Sequence, residues 1–431
     1  MGVVLFSFSI LFGTFLRLYD LDSVSPWSDE VSSWFYLRHL DLIFSSETHS
    51  PLYYSVLRLI LGEDATVYGI RLVSAVMSLF HLSLALFLGR KIFSPNQLLL
   101  FCLLIFLNPA DIVYARMGRH YAWFLESVLL FILWVRIKSP TWWLALVAFG
   151  MGFLHAFTVI PITFFMAQEW RETRQTKRSL IVVLTSFGFL LYSLSRLLVL
   201  GKEKVVENLI WNETSTSELI LSVAKLFLGE AWPRNQFFPV SLTLSLLVLG
   251  VSLAWLFDTS RKSFLNFLSL VLISFTVGLV ISQFGVNFQV DRYFIFLIPV
   301  WMMALVDSSR EPKNWILVLM LLLSSTYLAY LKPLAPYAWD DETVEIFQAY
   351  AASDSSRSQL ICASRAQNEY YQLNAPLPCL SAVQKLDPKK PLIFLDLNGN
   401  DRLTMLFLNQ EMNVLEHKKI NHSRIILFEP R

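Results

Sequence analysis

Four short segments of this chain concentrate side chains that can hold anions or move protons. SPWSDEVSSWF carries the paired carboxylates Asp29 and Glu30, and THSPLYYS carries His49 and Tyr53. YARMGRHYAWF carries Arg116, Arg119, His120 and Tyr121, and QVDRYFIFLIP carries Arg292 and Tyr293. A positioned carboxylate can take a proton from a hydroxyl or an amine. A guanidinium fork matches the oxygens of a phosphate. Each segment also has a plainer reading. Asp29 can start a short amphipathic helix lying on a membrane surface. His49, Tyr53 and Tyr54 can sit in an interfacial aromatic belt, and the arginines can snorkel to lipid phosphates.

The elements that would position these residues are apolar. Hydrophobic residues make up 55% of the 431 and charged residues only 16%, with mean hydropathy +0.53. Soluble domains carry roughly 25% charged residues, so most of this chain faces something other than water. The net charge of +2 argues against a nucleic-acid surface. A spanning helix needs roughly 20 apolar residues. Such runs occupy 2–19, 70–89, 97–114, 121–135, 141–157, 158–169, 179–200, 237–257, 264–284, 292–306 and 314–331. The fold class expected is therefore a polytopic α-helical membrane protein of about eleven spans. The fifth and sixth runs adjoin at His155 and Pro161, where a bent hairpin is an alternative to two full spans.

Lys and Arg collect at every second connection: Arg90 and Lys91, Arg136 and Lys138, the RETRQTKR run at 171–178, Arg261 and Lys262, and Arg310 and Lys313. The positive-inside rule puts these five on the cytoplasmic side, with the N-terminus. The first outer loop (20–69), a second (201–236) and the tail from about 332 then lie outside. All four chemistry-bearing segments fall on that outer face. In the tail, QLICAS (359–364), PLIFLDL (391–397) and RIILFEP (424–430) read as strands and DETVEIFQAYAA (341–352) as a helix. A small extracytoplasmic α/β domain over 332–431 is expected beside a membrane domain over 1–331.

Several patterns are set aside. Asp20-Leu21-Asp22 imitates an Asp-x-Asp motif but closes the first span. No Gly-rich phosphate loop is present. Cys362 and Cys379 could bridge in an oxidising compartment, whereas Cys102 lies in an apolar run. The sequons Asn212-Glu213-Thr214 and Asn421-His422-Ser423 both fall outside. The mid-span charges are few, and Arg196, Asp111 and Glu126 are each expected to reach an interface.

Together the four segments resemble the GT-C superfamily of membrane glycosyltransferases. The branch is that of the protein-mannosyltransferase-like and aminoarabinose-transferase-like enzymes that use polyprenyl-phosphate sugars. The order is shared: Asp29-Glu30 in the first outer loop, His49-Ser50-Pro51-Leu52-Tyr53, the Arg119-His120-Tyr121 turn, and Arg292-Tyr293 before a late span. The likeness is carried mainly by 20–125. Ser50 departs from the family's usual His-Pro-Pro, and Met117 stands where an acid often precedes the turn's arginine. No second outer-loop acid suits a metal, so a divalent cation is open to the family but not indicated here, and no other cofactor is implied.

The resemblance implies a transferase that moves a sugar from a polyprenyl-phosphate donor to a protein, lipid or glycan acceptor. Asp29 is implied as base with Glu30 beside it. Arg119 and Arg292 would hold the lipid phosphate, with Arg116, His120, Tyr121 and Tyr293 completing the cradle. His49 and Tyr53 would position acceptor or sugar. The location implied is a multi-pass membrane, the inner membrane of a bacterium. Two other classes fit some of the same features: a polysaccharide polymerase or ligase, and a transporter or lipid flippase without transferase chemistry. The transporter reading expects charges at the bilayer midplane and repeated halves.

Overall fold

The computed structural model describes residues 2–22, 28–45, 51–188, 191, 238–282, 294–309, 358–362, 370, 391–396, 408, 412–420 and 423–430. By compactness the chain divides into two units: Met1–Leu21 with His39–Pro336, and Asp22–Arg38 with Tyr337–Arg431.

The first unit is helical. Its helices are α1 (Gly2–Leu18), α3 (Leu40–Ser45), α4 (Pro51–Leu61), α5 (Val67–Gly89), α6 (Pro95–Leu107), α7 (Pro109–Arg116), α8 (Tyr121–Arg136), α9 (Thr141–Leu154) and α10 (Val159–Thr173). A helical stretch at 176–188 follows as α11. Then come α12 (Phe238–Thr259), α13 (Arg261–Ser282) and α14 (Leu297–Ser308). Ten of the expected spans thus contain described helix, and the run 314–331 lies outside the described residues. Among the described residues one helix, α5, is long and apolar enough by itself to cross a membrane, and α6 with α7 passes the same test as a pair bent by 44°. Val3, Leu11, Val76, Phe80, Phe87, Trp142 and Leu272 point outward, a surface that suits lipid tails better than water.

Side-chain bonds link the described ends of several basic connections, while Arg310 and Lys313 lie outside the described residues. Arg136 at the end of α8 forms a two-bond pair with Asp307 at the end of α14, at 2.6 and 2.5 Å. Gln97 donates to the Val306 carbonyl, Arg178 to that of Ser139, and Lys262 approaches Glu172 at 3.5 Å.

The bend between α6 and α7 has a specific cause. Pro109 has no N–H to give the Ile105 carbonyl, and Asn108 is extended with ψ 121°. The carbonyls of Ile105 and Phe106 therefore lose their helical partners. Arg17, fully buried near the end of α1, supplies both (3.2 and 2.8 Å). Its remaining donors reach Gly13 O, Ser78 Oγ and, at 2.6 Å, the Asp111 carboxylate. All five guanidinium N–H groups are used. Ser78 of α5 passes the chain on to Glu126 of α8 through a short hydrogen bond, and His81, one turn along α5, meets the other Glu126 oxygen at 2.9 Å. Asp111 and Glu126 are 1% and 0% exposed. The expectation that they reach an interface is corrected: both are enclosed in the bundle, Asp111 paired with the Arg17 guanidinium and Glu126 held by Ser78 and His81. Arg196 lies outside the described residues.

The approach of α1 to the bend requires a missing side chain. A Cβ on Gly13 would stand 2.4 Å from the Phe106 carbonyl oxygen. Beyond α1, Arg116 donates to the carbonyls of Leu16 (2.8 Å) and Asp20 (3.3 Å), and Arg71 to that of Leu21 (2.8 Å). Two cations thus close the negative end of the helix.

The second unit contains α2 (Ser28–Arg38) and the strands β1 (Ser358–Cys362), β2 (Leu392–Asp396), β3 (Met412–Ile420) and β4 (Ser423–Pro430). They form one sheet in the order β1-β2-β4-β3, with β1 parallel to β2 and the other pairs antiparallel. Leu392 to Leu395 are buried at every position, as are Ile425, Ile426 and Phe428 opposite them, so β2 is covered on both faces. Three strands coincide with the expected apolar runs. The edge strand β3 was not expected. The helix expected at 341–352 and the partner Cys379 of the proposed disulfide lie outside the described residues.

The Arg17 cluster is testable by charge-preserving exchange. Arg17→Lys offers three donors in place of five and leaves carbonyls without partners. It is expected to cost about 3 kcal/mol of stability in detergent, read as a lowered thermal midpoint. Gly13→Ala should lower it as well. A wild-type midpoint in both variants would show that the bend does not depend on Arg17.

Candidate functional site

Beyond the bent pair, Met117 to His120 form the turn that leads into α8. Arg119, 3% exposed, points inward rather than snorkelling outward. Its Nη1 donates to the Tyr54 hydroxyl at 2.6 Å, and its guanidinium lies 5.8 Å from the Tyr121 ring. Tyr53 and Tyr54, at the start of α4, are completely buried, so an interfacial belt does not describe them. The Tyr53 hydroxyl pairs with Ser74 of α5 at 3.0 Å. Its ring contacts those of Tyr54, His120 and Trp123 at 5.2, 5.9 and 4.9 Å. The turn and α4 thereby assemble Arg119, His120, Tyr121, Tyr53 and Tyr54 in one place.

Two features of α8 bear on the chemistry. His120 occupies its N-cap position without capping the helix through its side chain. Arg119 therefore stands in the turn just before the positive end of the α8 dipole, an end that favours an anion. Five residues on from Tyr121, Glu126 ties the same helix to α5 and, through Ser78, to Arg17. The scaffold and the site share one rigid element.

A residue not assigned a role from sequence also enters this cluster. His155 follows α9 in an extended conformation, φ −158°, and is buried. Its ring stacks on Phe124 at 4.5 Å and lies 5.6 Å from that of His120. The signal available in the sequence was its position at the break between two apolar runs, beside Pro161.

The other expected residues are distributed as follows. Arg116 spends its two Nη groups on backbone carbonyls of Leu16 and Asp20, which gives it a part in holding the end of α1. Asp29 lies in the first turn of α2 and Glu30 follows it, 2% exposed. Both belong to the second compact unit. Glu30, Val31, Ser33, Phe35 and Leu37 are all buried, so α2 is not a helix lying with one face in water. In the same unit the Trp34 ring contacts the Arg38 guanidinium (4.2 Å) and the Tyr370 ring (4.9 Å). The carboxylate of Asp29, and His49, Arg292 and Tyr293, lie outside the described residues. Among the described residues no three His, Cys, Asp or Glu side chains group as metal ligands would.

Arg116→Met keeps most of the stem and deletes the guanidinium. It should cost about 1–3 kcal/mol of stability by leaving the α1 carbonyls unpaired, read from the thermal midpoint in detergent; no change would remove Arg116 from the packing of α1.

No protein-family model matches the sequence, and no curated protein matches it. Among solved structures, ArnT from Cupriavidus metallidurans in the apo state is similar over 99% of this chain and 97% of its own, with TM-score 0.55 at 12% identity. The same protein bound to undecaprenyl phosphate covers equal shares at 12% identity with TM-score 0.42, too low to add weight. At such identity the likeness is one of fold: the chain shares the fold of that ArnT.

Proposed function

We propose that this protein is an inverting membrane glycosyltransferase that moves a sugar from a polyprenyl-phosphate donor to a protein, lipid or glycan acceptor. The observation that carries the reading is the buried Arg119. It sits at the N-terminal end of α8, on the Tyr54 hydroxyl, with His120 and Tyr121 beside it. Guanidinium, phenol, imidazole and helix amides together make a setting for phosphate oxygens. The shared fold with ArnT, a GT-C glycosyltransferase, agrees with this reading. The apolar outward face suits a donor whose hydrocarbon tail stays in the bilayer.

The chemistry asks for little acid catalysis. The acceptor oxygen or nitrogen attacks the anomeric carbon as Asp29 takes its proton. The bond from that carbon to the phosphate oxygen breaks, and its electron pair leaves with polyprenyl phosphate. That leaving group is already a stable anion, so it needs cations and donors rather than a proton. Arg119 and Arg292 supply the positive charge, and His120, Tyr121 and Tyr293 complete the cradle. His49 and Tyr53 position the acceptor or sugar. Direct displacement inverts the anomeric centre. The site faces away from the cytoplasm, the N-terminus and the basic connections lie inside, and a bacterial inner membrane is the setting.

One observation favours the rival transporter reading: charges do lie deep in the bundle, at Arg17, Asp111 and Glu126. Their bonding argues for scaffold instead. Every Arg17 donor is taken, three of the five by backbone carbonyls, which leaves none for cargo.

The test mixes purified protein with a panel of polyprenyl-phosphate sugars and candidate acceptors, following free polyprenyl phosphate by mass spectrometry. Release is expected in wild type and reduced about 10²–10⁴-fold in Asp29→Asn. Full activity in that variant would remove Asp29 as base. Arg119→Ala should weaken donor binding at least about tenfold, the scale of one lost charged hydrogen bond. A folded protein that neither binds nor consumes any donor would overturn the transferase reading.

A further inference from the structure

Helix α2, which carries Asp29 and Glu30, is held by residues from the far end of the chain. The sequence leaves the helical unit after Leu21 and returns to it at His39, and the stretch between packs into one compact unit with the tail. Glu30, Val31, Ser33, Phe35, Tyr36 and Leu37 are buried. At about 100° per residue these six positions fall on every side of the helix, so α2 is enclosed rather than laid on a surface. Close packing of that kind admits one placement of a helix and transmits any shift of a neighbour along it.

The contact from the tail falls on Trp34. The Tyr370 ring stands edge-on to it, with centroids 4.9 Å apart and planes at 86°. The Arg38 guanidinium, one turn along α2, lies 4.2 Å from the centre of the same Trp34 ring. Tyr370 is a helical residue in the connection between the parallel strands β1 and β2. Parallel strands require a crossover of this kind, so the topology of the sheet fixes where Tyr370 stands. An edge-to-face aromatic pair has a preferred geometry as well as contact area, and therefore orients what it holds. Glu30, Trp34 and Arg38 follow one another at steps of four and form one row along α2, whereas Asp29 lies about 140° around the helix from Trp34. Tyr370 grips the helix along a row that excludes Asp29 and sets where the Asp29 backbone stands.

We propose that Tyr370 is a positioning residue for the transfer: by holding Trp34 it fixes α2, and with it the point from which Asp29 takes the proton of the acceptor. The inference rests on the transferase reading above, with Asp29 as base. It gives the tail a part in the reaction, that of a mount for the base, while Arg119 of the helical unit holds the phosphate of the donor.

Losing the mount should slow the transfer without weakening the donor. Tyr370→Ala and Tyr370→Phe are compared with wild type as the full chain in nanodiscs. Affinity is measured with undecaprenyl phosphate, and kcat from release of free polyprenyl phosphate with the lipid-linked sugar that wild type consumes. The expected kcat is about tenfold lower in Ala and near wild type in Phe, which keeps the ring, with affinity within about threefold in both. In an Asp29→Asn background Tyr370→Ala should cost nothing further, because it acts through that carboxylate, whereas a general loss of structure would add. An unchanged kcat in Tyr370→Ala, a parallel loss of affinity, or full additivity with Asp29→Asn overturns the proposal. If Tyr370→Ala does not fold, Trp34→Phe weakens the same contact from the side of α2 and must give the same split. Wild-type release by Asp29→Asn overturns the assignment of the base and this inference with it. A slow Asp29→Asn beside a fully active Tyr370→Ala overturns this inference alone, and a folded wild type that consumes no donor overturns the transferase reading as well.

Discussion

One guanidinium sets the geometry of the helical unit. Breaking a helix inside an apolar bundle leaves carbonyls without partners, each costing several kcal/mol where water cannot reach. The break at Asn108-Pro109 does this, and Arg17 answers it from another helix. Charge balance then follows: the cation needs a carboxylate, and Asp111, in the first turn of the helix beyond the break, provides one at 2.6 Å. Position follows too, because five donors in one plane tolerate a single placement of α1, which only a glycine at position 13 permits. Ser78 and Glu126 carry the constraint across α5 to α8, so the helix presenting Arg119, His120 and Tyr121 is held by bonds that begin at the bend.

The site shows a second use of broken helices. Each residue gathered there stands at a discontinuity: Arg119 and His120 before α8, Tyr53 and Tyr54 at the start of α4, His155 between α9 and the turn that follows. Helix ends release backbone donors and acceptors, and side chains at such ends are oriented by those groups. The Thr158 and Phe157 bonds around His155 are an instance. In a medium without water, backbone groups at a break that find such partners are held in place, which suits them to position chemistry.

Much of this was legible in the sequence. Apolar run lengths located the helices to within a few residues, because a bilayer imposes a length that composition reveals. Alternating Lys and Arg clusters anticipated that α8 and α14 end on the same side, as Arg136 and Asp307 do. Three strands announced themselves as short apolar runs. The edge strand β3 did not: MNVLEHKKI mixes Glu, His and Lys into a strand at the sheet's edge among the described residues, a composition that discourages further pairing. The direction of side chains was the least visible layer. Tyr53 and Tyr54 looked interfacial and are buried, and Asp111 and Glu126 looked able to reach water and instead pair within the bundle. Arg17 and Asp111 were the available clue, opposite charges in two separate apolar runs. Their pairing depended on a helix crossing that run lengths do not encode.

The separation of that pair along the chain has a consequence for biosynthesis. Arg17 and Asp111 are 94 residues apart. A ribosome working at roughly 5–20 residues per second needs roughly 5–20 s to bridge that gap. Through that interval the first helix has left the translation machinery with a guanidinium near its end and no carboxylate to meet it. It waits either short of full insertion or in the shelter of the insertion apparatus until α7 is made. The nascent chain is thus timed by its own ion pair: α1, made before α7, cannot settle until α7 arrives, and its settling closes these helices around the bend.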